Sequence, residues 1–215
     1  MSNILKSTKL DIALVKPYFK TICFTLFLPI VFVFINRSLL TGISFAMCFI
    51  AMTTGYTFSV TEKNSMERLY GILPIRKSEL VIGRYVFVIM MGLLALILSL
   101  ILQPLVLIAL GEAITSFDII AAIVGLLLFS LYTVFQIPGY YKFGSIKGRV
   151  FMYIPVVGFL LILLLLSKIP NMGILLATKI GGTPAVLAII AVSVSIVMYS
   201  ISILISIKVV KNMEM

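Results

Sequence analysis

A chain of 215 residues that is 62% hydrophobic and 11% charged, with a mean hydropathy of +1.25, is greasier than a soluble core allows, since ordinary soluble domains are about 25% charged. Its formal charge of +10 reads as a determinant of membrane topology and not as a nucleic-acid footprint. With no histidine in the chain, HExxH zinc chemistry and a serine activated by a histidine base are both excluded.

Residues 4–18 interleave Lys6, Lys9, Asp11 and Lys16 with Ile4, Leu5, Leu10, Ile12, Leu14 and Val15. No small-residue cleavage site follows, so the segment reads as a helix lying in the membrane interface and not as a cleaved signal. A spanning helix needs roughly 20 mostly apolar residues. Such spans are expected at about 19–35, 40–60, 80–103, 119–137, 150–167 and 185–207. Residues 36–38 form a very short connection between the first two. Gln103-Pro104 is expected to end or kink the third, because proline lacks the helical N–H and disfavours helix in the residue before it. Pro155 is a candidate kink in the fifth. Residues 168–184 are too short to cross and too apolar for an ordinary loop, which suits a short re-entrant or interfacial segment. No remaining piece approaches the 50 or so residues of a soluble domain. The chain reads as a single all-α transmembrane domain, 1–215, with no catalytic domain. Cys23 and Cys48 lie in apolar spans without CxxC spacing, as small core residues.

Basic residues test this layout. The N-terminal segment has four, residues 61–85 five, residues 138–149 three and the C-terminal tail two, so fourteen of seventeen fall on one side. The positive-inside rule then places both termini and both charged connectors in the cytoplasm.

The first connector, TEKNSMERLYGILPIRKSELVIGRY (61–85), concentrates charge around an apolar stripe. Asn64 can cap a helix with Glu67 reaching back to it, as in a capping box. Met66, Leu69, Tyr70 and Leu73 then share one face, and Pro74 ends the helix, giving a short amphipathic helix over 64–73. Ser78 can cap the next helix, with Glu79 in its first turn. Such a helix could rest on lipid headgroups. Its mixed charges suit a protein groove better, because acids gain nothing at an anionic surface.

ERLYGILPIRKSELVIGRY (67–85) resembles the first cytoplasmic loop of ABC-2 type transporter permeases. PGYYKFGSIKGR (138–149) is similar to the second loop of that family's small members. The loop pattern resembles in particular the permeases that export amphipathic peptides, including phenol-soluble modulins, and those of lantibiotic or bacitracin self-protection. The resemblance implies an exporter-like fold whose helix 64–73 is a coupling helix docking on a separate cytosolic ATPase. On that implication Met66, Leu69, Tyr70 and Leu73 fill the ATPase groove, Pro74 closes the helix, and Glu62, Glu67, Arg68 and Arg76 pair at its rim. Pro138, Tyr141, Lys142, Phe143, Gly144, Lys147 and Arg149 carry the second loop's match. A second permease, identical or related, is expected as a partner. The chain has no Walker A sequence, so ATP and magnesium belong to the partner subunit; no cofactor, metal or nucleic acid is expected here. Bacterial cytoplasmic-membrane localisation follows from the same resemblance.

The pathway is less marked. Thr53, Thr54, Tyr56 and Thr57 make the second span polar toward its cytoplasmic end, either lining a pathway or bonding their own helix. Ser195, Tyr199, Ser202 and Ser206 form one stripe on the last span, read as helix packing. No span holds a clear midplane acid or base, which argues against an ion-driven carrier and suits lipid-like or amphipathic cargo. A substrate-capturing subunit of a vitamin importer has a similar size but lacks a charged-rim coupling helix. An intramembrane hydrolase is disfavoured by the missing histidine.

Overall fold

The computed structural model describes residues 3–64, 66, 75–112, 117–155, 157 and 184–212. Among them the structure is helical, without strands: α1 (Asn3–Val15), α2 (Phe19–Asn36), α3 (Leu39–Thr53), α4 (Gly55–Lys63), α5 (Lys77–Ala109), α6 (Phe117–Lys147) and α7 (Pro184–Asn212). Among the described residues five helical stretches are long and apolar enough to cross a bilayer, and the protein is an integral membrane protein. The fifth predicted span, 150–167, lies outside the described residues beyond Pro155 and Val157, as does 168–183.

Packing is that of a protein dissolved in lipid. Phe24, Phe27, Phe34 and Ile35 on α2 and Ile189 and Leu204 on α7 point outward, whereas Ala46, Ala51, Ala95, Ala121, Ser202 and Ser206 are buried. Small residues inside let helix backbones approach closely where hydrocarbon surroundings give no hydrophobic drive. At Gly92 an added Cβ would stand 2.3 Å from the Phe129 ring, and at Gly125 2.7 Å from Ile43. α6 is the central helix, packed against α3, α4 and α7.

The N-terminal segment is the expected helix, and it differs from a separate element in running on into the first span. A 3-10 turn, Lys16–Tyr18, carries α1 directly into α2, so helical structure is continuous from Asn3 to Asn36. This rod runs parallel to α5 along its whole length. Asn3 meets Glu79, Thr8 meets Gly83, Asp11 meets Arg84, and Arg37 meets Glu112 at the far end. α5 has 33 residues, about 50 Å at 1.5 Å per residue, against a hydrocarbon core of about 30 Å. Its surplus length gives α1 a protein surface to follow instead of a lipid one. The buried side of α1 is Ser7, Thr8, Asp11 and Val15, while Leu5 and Ile12 face outward. Gly83 permits this: a Cβ there would come within 2.7 Å of the Ser7 side chain and 3.0 Å of the Ile4 carbonyl.

Three span boundaries also differ. The second span breaks at Thr54, between α3 and α4. Hydroxyls of Thr53, Thr54, Thr57 and Thr61 donate to the carbonyls of Ile50, Ala51, Thr54 and Thr57 at 2.7–2.8 Å, and such back-bonding bends helices. The third runs through Pro104 to Ala109, six residues past the expected boundary. The fourth passes Pro138 and reaches a kink at Gly144 (φ 77°, ψ 178°), so residues 138–143 are helix and not loop. Pro138 cannot donate to Val134 O, and the Ser202 hydroxyl of α7 takes that carbonyl at 2.8 Å. A neighbouring hydroxyl that re-satisfies the freed group is what makes a proline tolerable inside a membrane helix.

α7 thus reads its neighbours through the predicted stripe. Tyr85 OH lies 2.6 Å from Ser202 Oγ and 2.8 Å from Ser206 Oγ, and Tyr199 OH lies 2.8 Å from Thr133 Oγ1. With Ser202 donating to Val134, a consistent chain runs from Ser206 through Tyr85 and Ser202 to the carbonyl freed by Pro138. Ser195 Oγ is buried without a hydrogen-bond partner among the described residues.

Candidate functional site

α1, α4, the start of α5 and the end of α6 converge where the two charged connectors lie. Arg84 is at the centre. It enters the α1–α5 contact one residue after Gly83, and its side chain is only 3% exposed. Its Nη2 donates to Asp11 Oδ1 at 3.2 Å and to Thr61 Oγ1 at 3.2 Å, and its Nε to Asp11 Oδ2 at 3.4 Å. The guanidinium also lies 4.5 Å over the Phe58 ring and 5.7 Å from the Tyr141 ring. One side chain therefore ties α1, α4, α5 and α6 together. An arginine suits this, since its planar fork serves a carboxylate, a hydroxyl and aromatic faces at once.

The α4–α6 seam continues the cluster. Phe58 packs on Tyr140 at 4.8 Å and edge-on to Tyr141 at 5.1 Å. Gln136 Nε2 donates to Tyr140 OH at 2.6 Å, and Thr54 Oγ1 lies 3.3 Å from Gln136 Oε1. Gly55 accommodates Tyr140, whose hydroxyl would stand 2.6 Å from a Cβ at that position. Beyond the seam, Ser145 N donates to Glu62 Oε2 at 2.7 Å. Glu62 is the last residue but one of α4, and its carboxylate reaches the end of α6 through this bond.

These contacts fasten both ends of the first connector. On one side α4 ends at Lys63, with Asn64 N bonded to Val60 O at 3.1 Å. On the other, Arg76 precedes α5 and its N–H donates to Glu79 Oε2 at 3.2 Å, the same oxygen that receives Asn3 Nδ2 at 3.2 Å. Two expected caps are thereby corrected. Asn64 terminates α4 with φ −94° and ψ 8° instead of standing extended at a helix start. Ser78 lies inside α5, and Arg76 occupies the cap position, because Glu79 reaches back three residues and not one.

Of the residues assigned to the ATPase face, Met66 is half-buried and Arg76 exposed. Glu67, Arg68, Leu69, Tyr70, Leu73 and Pro74, and with them most of helix 64–73, lie outside the described residues. Glu62, placed at the rim by resemblance, has its carboxylate on Ser145 instead. In the second connector Tyr141 faces Arg84, Phe143 stacks on Phe151 at 5.0 Å, Lys142 Nζ stands 5.3 Å from the Phe143 ring, Lys147 ends α6, and Arg149 is in the 3-10 turn that follows. Thr53, Thr54 and Thr57 are buried and bonded to their own helix, while Tyr56 stacks on Tyr18 at 5.3 Å. Asp11, Thr61 and Ser145 are site members that sequence reasoning did not single out. The available signal was Asp11 itself, the first acid in the chain and the only one before Glu62.

Two half-open hollows lie between the spanning helices. One of about 180 Å³ between α3, α5, α6 and α7 is walled by Met47, Gly92, Leu96, Phe129 and Tyr199. The other, about 210 Å³ between α2 and α5, is walled by Leu26, Phe27, Leu98, Ser99 and Gln103. No charged side chain lines either.

Neither a curated protein nor a solved structure matches the chain, whereas the family model for the ABC-2 family transporter protein matches residues 8–211. That match takes in Asp11, Glu62, Arg84 and both connectors. The chain belongs to the ABC-2 transporter family, as a membrane permease subunit of the kind that associates with an ABC ATPase.

Proposed function

We propose that this permease is the membrane half of an ATP-driven exporter of amphipathic or antimicrobial peptides. The observation that supports this best is the fastening of residues 64–76 at both ends. Thr61 and Glu62 tie the preceding helix to α5 and α6, and Glu79 ties the following one to α1. A force applied to that connector would reach four helices without passing through lipid. Residues 64–73 are the coupling helix in this reading, with Met66, Leu69, Tyr70 and Leu73 facing the ATPase and Glu67, Arg68 and Arg76 at its edge. The protein resides in a bacterial cytoplasmic membrane as a pair of permeases, both termini inside, and ATP and magnesium bind the ATPase subunits.

The hollows without charge suit a cargo whose apolar face travels through the membrane domain. Purification of the full chain from native membranes tests the reading. An ABC ATPase should co-purify in equal amount, and ATP hydrolysis should rise when an amphipathic helical peptide is added. A complex stimulated by lipid or hydrophobic drug but by no peptide would reassign the cargo. A chain that carries cargo with no ATPase bound would contradict the reading altogether.

A further inference from the structure

We propose that Glu62 is a positioning residue whose carboxylate clasps the Gly144–Ser145 turn, so that movement of the first connector is delivered to the end of α6 as well as to α5. The inference rests on the coupling role proposed above. Its geometric basis is independent of that role.

Gly144 has φ 77° and ψ 178°, a combination essentially confined to glycine. The backbone reverses out of the helix there, and the next N–H, of Ser145, opens a new helical piece in which the first amides lack internal partners. Glu62 supplies the missing acceptor from another helix, 83 residues away in sequence, at 2.7 Å. The fit is close: a Cβ on Gly144 would touch both Glu62 oxygens at 3.4 Å. A carboxylate accepting from a backbone amide makes a charge-assisted bond, stronger and more directional than a neutral one.

The surroundings turn this bond into a joint. α4 is separated from α3 by the break at Thr54, where hydroxyl back-bonding weakens the helical ladder. α4 is instead applied to α6 through Phe58, Tyr140 and Tyr141. It can therefore tilt about Thr54 with the end of α6 following, and Glu62, last but one in α4, is the grip farthest from that hinge. The exposed setting of Glu62 gives the bond little weight in overall stability. Its consequence is direction: residues 145–152 lead into the fifth predicted span.

The complex of the full chain with its ATPase, in lipid nanodiscs, is compared by amide hydrogen exchange with and without a non-hydrolysable MgATP analogue. In the wild type, both 61–76 and 139–149 are expected to change on nucleotide addition. In Glu62→Ala, 61–76 should still respond while the response of 139–149 falls about fivefold or more. Glu62→Gln keeps a carbonyl acceptor and should recover part of that response. Gly144→Ala should abolish it from the other side of the joint. Undiminished response of 139–149 in both Glu62→Ala and Gly144→Ala overturns the clasp. A wild-type complex in which nucleotide leaves 61–76 unchanged overturns the coupling reading, and the clasp with it.

Discussion

Arg84→Ala is expected to remove about 3–5 kcal/mol of stability, the cost of leaving one member of a buried ion pair alone. Asp11 is 1% exposed, and its carboxylate hydrogen bonds come from Arg84. Without the guanidinium, α1 must hold a bare carboxylate against α5 or separate from it. Thr61, Phe58 and Tyr141 would lose the charge they surround. Native proteins hold only about 5–15 kcal/mol in reserve, so the variant should unfold at a markedly lower temperature in detergent and accumulate poorly in membranes. The same principle predicts a rescue, because a buried pair replaced by apolar side chains of similar volume is often neutral or stabilising. Asp11→Leu combined with Arg84→Met should therefore recover most of the loss. A single Arg84→Ala variant that melts with the wild type would show that the four-helix tie contributes nothing to the fold.

Leu69→Asp is expected to have the largest effect on activity. Central apolar anchors of a protein interface cost about 2 kcal/mol or more when truncated, and a carboxylate in their place must also be desolvated. A loss of about 2–4 kcal/mol corresponds to about 30- to 700-fold weaker binding of the ATPase. The permease itself should fold normally, since the site's own ties run through Arg84, Glu62 and Glu79. Ile146→Asp is the control. That side chain lies within the second connector and is 76% exposed, and placing charge there should leave ATPase binding within about twofold, the range of ordinary surface substitutions. Equal loss in both variants would mean that the contact is diffuse and not confined to the 66–69–70–73 stripe.

Hydropathy made the membrane class legible, because it rests on composition summed over many residues. Individual helix ends were less so. Rules for proline count the lost N–H of Pro138, but the hydroxyl that replaces it belongs to Ser202, 64 residues later, and only the packing of α7 on α6 reveals the compensation. The break at Thr54 was visible as a cluster of threonines, yet a pathway and a bent helix use the same hydroxyls. For α1 the pattern did not show which face packs on protein. Amphipathic patterning turns apolar residues inward, whereas here a glycine on α5 draws Ser7, Thr8 and Asp11 inward and leaves Leu5 and Ile12 outside. Within the connector site, capping chemistry identified the region, and Glu79 does cap α5. Its partner is Arg76 and not Ser78, a choice set by which turn contacts Asn3. The Arg84 cluster was hidden because its members come from four segments, none of which looks unusual alone.

The most direct measurement is site-specific photo-crosslinking in native membranes, with a photoreactive amino acid at Tyr70 in one preparation and at Phe34, at the opposite end of the bundle, in another. Tyr70 is expected to yield an adduct of the permease with an ABC ATPase, and Phe34 none. If the ATPase co-purifies but never crosslinks from Tyr70, residues 64–73 are not where force enters this permease.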